Sequence, residues 1–350
     1  MRSPPSRPVT PLRRRQRNPS RPSRTPCSSG TCGSSGVRAG SGTSSPDPAP
    51  RGARMKILTR ERLVGLAFLA PTLILFAVFV VYPIVYNVQA STLDWDGVNV
   101  GTAVGIGNYL ELFQDPTFLI TLRNSAFWIV LTIVPQGVIG FLLAVALNQG
   151  LRGSTIYRAI FFIPAILSPV VVGIVWQRIL DPFNGVLTAI GKATGLTFLG
   201  GNYLADPQTA IFAVIFVNVW MWTGFSMLFY LAGLQLIDPS LVEAARIDGA
   251  NGFQTMVRIT FPLLKTTTLS LVLLGIIGSL KTFELVYVLT QGGPNHASEM
   301  LPTFAFLEAF QLQNVGYASA ISVVLLVVAV VSSLSMVRVF GAGFITGDEK

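Results

Sequence analysis

Six long apolar stretches, separated by shorter polar ones, set the pattern of this chain. They run roughly over Leu63–Tyr86, Leu122–Leu147, Ala159–Leu180, Ile211–Leu236, Thr266–Leu289 and Tyr317–Val337. Each supplies about the 20 apolar residues that a helix needs to cross the hydrocarbon core of a membrane. The pattern therefore predicts an all-α integral membrane protein built as a six-helix transmembrane bundle. Pro135 is expected to kink the second span. Pro164 and Pro169 fall inside the third, where a membrane helix tolerates them if neighbours satisfy the freed carbonyls.

The charges between the stretches predict the orientation. Arg152 and Arg158 follow span two, and Arg246, Arg258 and Lys265 follow span four. Lys56, Arg60 and Arg62 precede span one, and Arg338 follows span six. Residues 87–121 and 290–316 hold no Lys or Arg, and residues 181–210 hold only Lys192. Those loops carry acids instead, among them Asp94, Asp96, Glu111, Asp115, Asp181, Asp206, Glu299 and Glu308. Positive charge collects on the cytoplasmic side, so both termini are expected there.

Composition sharpens this picture. The 350 residues are 51% hydrophobic and 12% charged, about half the charge of an ordinary soluble domain. The net charge of +9 comes from residues 1–54, which hold 11 Arg against one Asp. Half of that segment is Pro, Ser and Gly. It has too little apolar surface to offset the entropy of ordering, so a disordered tail is expected. Met55-Lys56-Ile57 would make a sensible start, with residues 1–54 then upstream sequence. The body, 55–350, carries a balance of −1, which removes the nucleic-acid reading. Both cysteines, Cys27 and Cys32, lie in the tail, and His296 is the single histidine. Thiolate metal sites are thereby excluded from the body. No phosphate-binding loop occurs: Gly191-Lys192-Ala193 lacks the hydroxyl and the upstream glycine.

Residues 237–265, between spans four and five, read as two short helices. Asp238 is a good N-cap and Pro239 suits the first helical position. The first helix runs through Glu243, Ala244 and Ala245. Asp248-Gly249 ends it, because glycine accepts the left-handed conformation past a helix end. Asn251 is placed to cap a second helix, with Gln254 three residues on for a reciprocal bond. Phe253, Met256, Val257, Thr260, Phe261 and Leu264 then fall on one face at helical spacing. The small Ala244-Ala245 pair permits close approach by another surface. From the residues alone, this element either docks a partner or packs on its own bundle.

Glu243-Ala244-Ala245, then Asp248-Gly249-Ala250, Ile259 and Pro262-Leu263, resemble the EAA motif of permease subunits of binding-protein-dependent ABC importers. The resemblance covers residues 56–338 and looks most like the six-span sugar permeases of the maltose and glycerol-3-phosphate type. Supporting segments are Tyr82-Pro83, Gly107-Asn108-Tyr109, Asp115-Pro116, Phe162-Ile163-Pro164, Thr290-Gln291-Gly292-Gly293-Pro294 and Gly316-Tyr317-Ala318-Ser319-Ala320. Gly252 and Lys265 stand where that family often has proline, and Met256 where phenylalanine is common.

The resemblance implies a type I importer permease fold in which residues 237–265 hold the coupling helix. Glu243 would make a polar contact with a cytoplasmic ATPase. Ala244, Ala245, Asp248 and Gly249 would give the close fit and the turn. Transport would be by alternating access, with ATP binding favouring an outward-open state and hydrolysis resetting it. Implied partners are a second homologous permease, an ABC ATPase dimer, an extracytoplasmic solute-binding protein, a carbohydrate and membrane lipid. No cofactor is expected in this chain, since ATP and Mg would be bound by the ATPase. The implied location is a bacterial or archaeal cell (inner) membrane.

Asn218, Trp222 and Phe225 in span four, and Gly275, Ser279 and Thr282 in span five, each share a face at i, i+4, i+7. Polar groups within hydrocarbon tend to face a cavity. The resemblance places the sugar pocket on the two helices flanking the coupling loop, which favours these faces. The competing reading is plain packing, with Ser and Thr bonding their own backbone. Lys281 and Glu284 could pair at i, i+3, a role weighted toward structure over substrate. Trp176, Trp220 and Tyr230 are expected in packing or at interfaces. His296 is expected in solvent, with contact to a binding protein as the lesser reading. The alternatives for the whole chain are an ion-coupled secondary transporter, an ABC importer permease for a non-sugar solute, and a membrane enzyme. The first needs ion-coordinating groups at the midplane, for which only Lys281 and Glu284 offer themselves. The last lacks any recognisable set of catalytic groups.

Overall fold

A computed structural model of the chain describes residues 64–65, 67–150 and 152–340. The tail 1–54, the start expected at Met55, and Lys56, Arg60 and Arg62 lie outside the described residues. The chain divides into units Met1–Leu66 and Ala67–Lys350, and every helix and strand named belongs to the second.

Among the described residues, four helices are long and apolar enough to cross a membrane: α1 (Ala67–Ala90), α3 (Pro116–Asn148), α7 (Ala210–Leu234) and α13 (Val315–Phe340). These answer to the first, second, fourth and sixth apolar stretches. Helix α1 contains one π turn, Ala77–Val81, and α3 runs as one element through Pro135. Helix α2 (Gly107–Gln114) leads into α3. It follows a small antiparallel pair, β1 (Leu93–Asp94) and β2 (Thr102–Ala103), in the register Leu93↔Ala103 and Asp94↔Thr102.

The third and fifth stretches do not form single spans. The third is α4 (Ser154–Ile166) and α5 (Pro169–Ile179), bent by 98°. Ser168 stands in extended backbone ahead of Pro169. Proline disfavours helical geometry in the residue before it and offers no N–H to the preceding turn. Pro164, by contrast, stays inside α4.

The stretch expected over Thr266–Leu289 breaks at Lys281–Phe283 into α10 (Lys265–Leu280) and α11 (Glu284–Thr290). Thr282 Oγ1 donates to the Gly278 carbonyl at 3.1 Å there, a local bond that competes with helix continuation. Before α10, the segment α9 (Gly252–Leu263) meets it at 68°. Two further helices are α6 (Val186–Thr194) and α12 (Leu301–Phe306), the latter extended by a π turn, Leu307–Gln311.

Helix α7 is the axis of the packing. With α3, α5 and α11 it builds one core around Trp128, Val172, Val217 and Leu285. With α3 and α10 it builds a second around Phe141, Ala144, Met227 and Tyr230. Tyr230 Oη donates to Thr268 Oγ1 at 3.2 Å. A β-carbon on Gly224 would collide with the Phe161 carbonyl oxygen, so α4 and α7 touch backbone to backbone. Small residues at such crossings are how membrane helices gain contact where lipid offers no hydrophobic drive. Trp176 and Trp220 meet edge to face with centroids 5.4 Å apart, as packing residues do.

Candidate functional site

The loop after α7 begins with α8 (Pro239–Ile247). Asp238 caps it, its Oδ1 accepting from the Ser240 N–H at 2.9 Å. That bond holds the Asp238 carboxyl below the usual range. Past the helix end, Gly249 has φ +83°. Its N–H donates to the Arg246 carbonyl and the Ala250 N–H to the Ala245 carbonyl. This pair of bonds is a Schellman closure, which glycine favours at that position. Asn251 and Gln254 then form the reciprocal cap, at 2.8 and 3.0 Å. The turn Asp248–Asn251 is thus locked on both sides by bonds that the sequence spells out.

Two expectations for this loop are corrected. Ala245 is only 6% exposed; it packs within the chain and leaves Ala244 as the exposed member of the pair. Glu243, Asp248 and Gly249 are exposed. The second helix does not keep its six apolar positions on one face. Thr260 and Leu264 are buried and Met256 is half-buried, whereas Phe253, Val257 and Phe261 are exposed. A π turn at Met256–Thr260 inserts an i→i+5 step, which rotates later residues off the 3.6-residue period. Ile247 and Phe253, at 81% and 70% exposure, flank the locked turn.

The path residues are brought together. Asn218, Trp222, Phe225, Gly275, Ser279 and Thr282 all line one cavity of about 310 Å³ between α7, α10 and α3. Asn218 is 8% exposed, and its Oδ1 accepts from Gln136 Nε2 at 2.9 Å. Trp222 and Phe225 stand edge to face at 5.9 Å. Ser279 Oγ is 3.5 Å from Thr132 Oγ1, a long contact. Gln136 and Thr132 were missed by the sequence reading. Gln136 is an amide in the middle of an apolar span, and the rule that polar groups in hydrocarbon face a cavity would have found it. Lys281 and Glu284 also line this cavity, but the helix break between them removes the expected i, i+3 pairing. Among the described residues the one acid–base contact is elsewhere, His296 with Glu299.

That contact lies in the loop 291–300. His296 is not simply solvated. Its Nδ1 lies 3.3 Å from Glu299 Oε2, and its carbonyl accepts from Asn124 Nδ2 at 3.1 Å. Glu299 is 3% exposed. Burial pushes its carboxyl up, against the lowering pull of hydrogen bonds from Thr303 and His296.

The comparisons with known proteins agree with this architecture. Residues 136–342 match the family described as "Binding-protein-dependent transport system inner membrane component". The chain is 36% identical over 290 residues to the probable ABC transporter permease protein YurN of Bacillus subtilis, covering 82% of this chain and 99% of that one. It is 34% identical to the multiple sugar-binding transport system permease protein MsmF of Streptococcus mutans, over 78% and 94% of the two chains. Among solved structures it is similar to a chain of a bacterial ABC transporter involved in the import of the acidic polysaccharide alginate. The TM-score is 0.72 at 25% identity, covering 83% of this chain and 99% of that chain. With the family matched across the cavity and the loop alike, the chain belongs to the inner membrane components of binding-protein-dependent transport systems and is an ABC importer permease.

Proposed function

We propose that this permease carries a carbohydrate, a sugar or oligosaccharide, through the cavity between α7 and α10. The observation that carries this reading is the convergence of six residues from two separate helices on one cavity. An amide and hydroxyls there are suited to bond sugar hydroxyls, and the Trp222 indole offers a face for a pyranose ring. Relatives named for sugars support it, among them MsmF and the diacetylchitobiose uptake system permease protein NgcF of Streptomyces coelicolor, 34% identical. The turn flanked by α8 and α9 docks a cytoplasmic ATPase, with Glu243, Ala244, Asp248 and Gly249 at the contact and Ala245 supporting them from within. ATP and Mg are bound and hydrolysed by that ATPase dimer. A second homologous permease completes the membrane part, and the solute-binding protein delivers to the outer face. Both termini lie in the cytoplasm of a bacterial or archaeal cell, and the tail 1–54 is dispensable.

The test is a mild-detergent pull-down of the tagged chain from its native membranes, followed by reconstitution of what co-purifies. A cytoplasmic ATPase, a second six-span subunit and ATP-dependent uptake of a carbohydrate are expected. A solitary chain with its own proton- or sodium-driven uptake would overturn the reading.

A further inference from the structure

Lys281 and Glu284 sit on one wall of the central cavity, at the two edges of the break between α10 and α11. Both side chains are exposed, and neither is in an acid–base contact. The rest of the polar lining is uncharged: Thr132, Gln136, Asn218, Ser226, Ser279 and Thr282. The cavity therefore presents one formal cation and one formal anion, and its charges sum to zero.

We propose that this cavity selects a glycoside of zero net charge, with Lys281 and Glu284 as its specificity-determining residues. The inference rests on the carbohydrate reading and narrows it to a substrate class. A sugar hydroxyl both donates and accepts, so the ammonium of Lys281 and the carboxylate of Glu284 each hold one, as charge-assisted bonds. A uronate gains no such balance. It sheds hydration on entering a site bounded by apolar side chains, and the attraction of Lys281 is opposed by Glu284 on the same wall. A free cation is rejected by the mirror argument. Trp222, Phe225 and Met221 supply the apolar surface, which a neutral ring covers without a charge penalty. The cavity volume, about 310 Å³, is at the small end of ligand sites and suits a short neutral saccharide. On this reading the chain differs in solute charge from the structurally similar importer of an acidic polysaccharide.

The experiment uses the whole complex purified from native membranes into nanodiscs. Its tryptophan emission is titrated with neutral disaccharides (maltose, cellobiose, diacetylchitobiose) and with digalacturonate. At least one neutral disaccharide should quench saturably, with an apparent affinity at least about tenfold above that for digalacturonate, and W222F should lose the signal. E284Q leaves Lys281 as the lone charge and should narrow that ratio by about tenfold. K281Q should widen it. If E284Q does not assemble, the wild-type ratio and K281Q decide. Digalacturonate binding within about twofold of the best neutral disaccharide, or a ratio that neither variant moves, would overturn charge selection and leave carbohydrate transport standing. Silence toward every saccharide in a complex that still hydrolyses ATP would overturn the carbohydrate reading and this inference with it.

Discussion

Asn124 and Glu299 are joined across the molecule: the Asn124 side-chain amide, in α3, donates to the Glu299 carbonyl oxygen at 3.1 Å. The same Nδ2 lies 3.1 Å from the carbonyls of His296 and Ala297. Two hydrogens are thus shared among three acceptors, and one buried amide on a span ties down a loop that also carries its own backbone bonds, such as the Ala297 N–H to the Pro294 carbonyl at 2.9 Å. Asn295 and His296 both have positive φ, 50° and 58°, a region costly for residues with a β-carbon.

N124A should therefore cost about 1–3 kcal/mol, since it strands buried carbonyls rather than exchanging them for water. Thermal unfolding of the detergent-solubilised chain would register the loss. Melting at the wild-type temperature would remove Asn124 from the loop's support.

The buried carboxyl of Glu299 gives a pH dependence with a definite sign. Its folded value is raised above the ordinary one by burial, so folding favours the protonated form. The associated stability is full below the unfolded value and is lost as pH rises through the folded one. E299Q fixes a neutral side chain. It should melt above the wild type at about pH 8, with the gap closing toward about pH 4.5. A gap that widened on acidification would contradict the assigned shift.

At Gly249 the chain itself leaves room, for a β-carbon there meets nothing within 4 Å. The only intramolecular cost of a side chain is the left-handed backbone, about 1 kcal/mol. G249D should insert and fold while ATP-driven uptake is lost, because the added charge would meet the ATPase proposed to dock at this turn. Uptake at the wild-type level would take Gly249 out of that contact.

Gly224 offers the opposite case. A β-carbon there runs into the Phe161 backbone, which no rotamer change relieves. G224V should cost about 3 kcal/mol or more and lower the folded yield in the membrane. G252A, at an exposed helix start with open space around it, should be neutral or slightly stabilising. Equal yields for the two would mean that α4 and α7 adjust freely at their crossing.

Features set by local chemistry were legible in the residues. The cap at Asp238, the glycine closure at Gly249 and the Asn251–Gln254 exchange each need only three or four neighbouring residues. Helical spacing also lined up Asn218, Trp222 and Phe225 on one face and Gly275, Ser279 and Thr282 on another, whereas the meeting of the two faces at one cavity was implied by the family resemblance and not by spacing. The break at Lys281–Phe283 was not legible, although Lys281 and Glu284 interrupt the apolar run there, because two charges at i, i+3 are equally what a continuous helix with a paired contact would show. The π turn at Met256–Thr260 escaped for a related reason: apolar spacing assumes 3.6 residues per turn. The burial of Ala245 and the partnership of Gln136 with Asn218 depend on residues far apart in the chain, which a one-dimensional pattern does not bring together.

The bend of 68° between α9 and α10 makes an elbow, and an elbow turns a push into a swing. Helix α10 has 16 residues, a lever about 24 Å long at 1.5 Å per residue. A pivot of about 5° at Leu264 would carry its far end, beside Ser279, sideways by about 2 Å. A displacement of that size decides whether a hydrogen bond to a bound ring exists. Force delivered at the locked turn would thus arrive at the cavity as a loosened grip, transmitted by a rigid rod and a single joint.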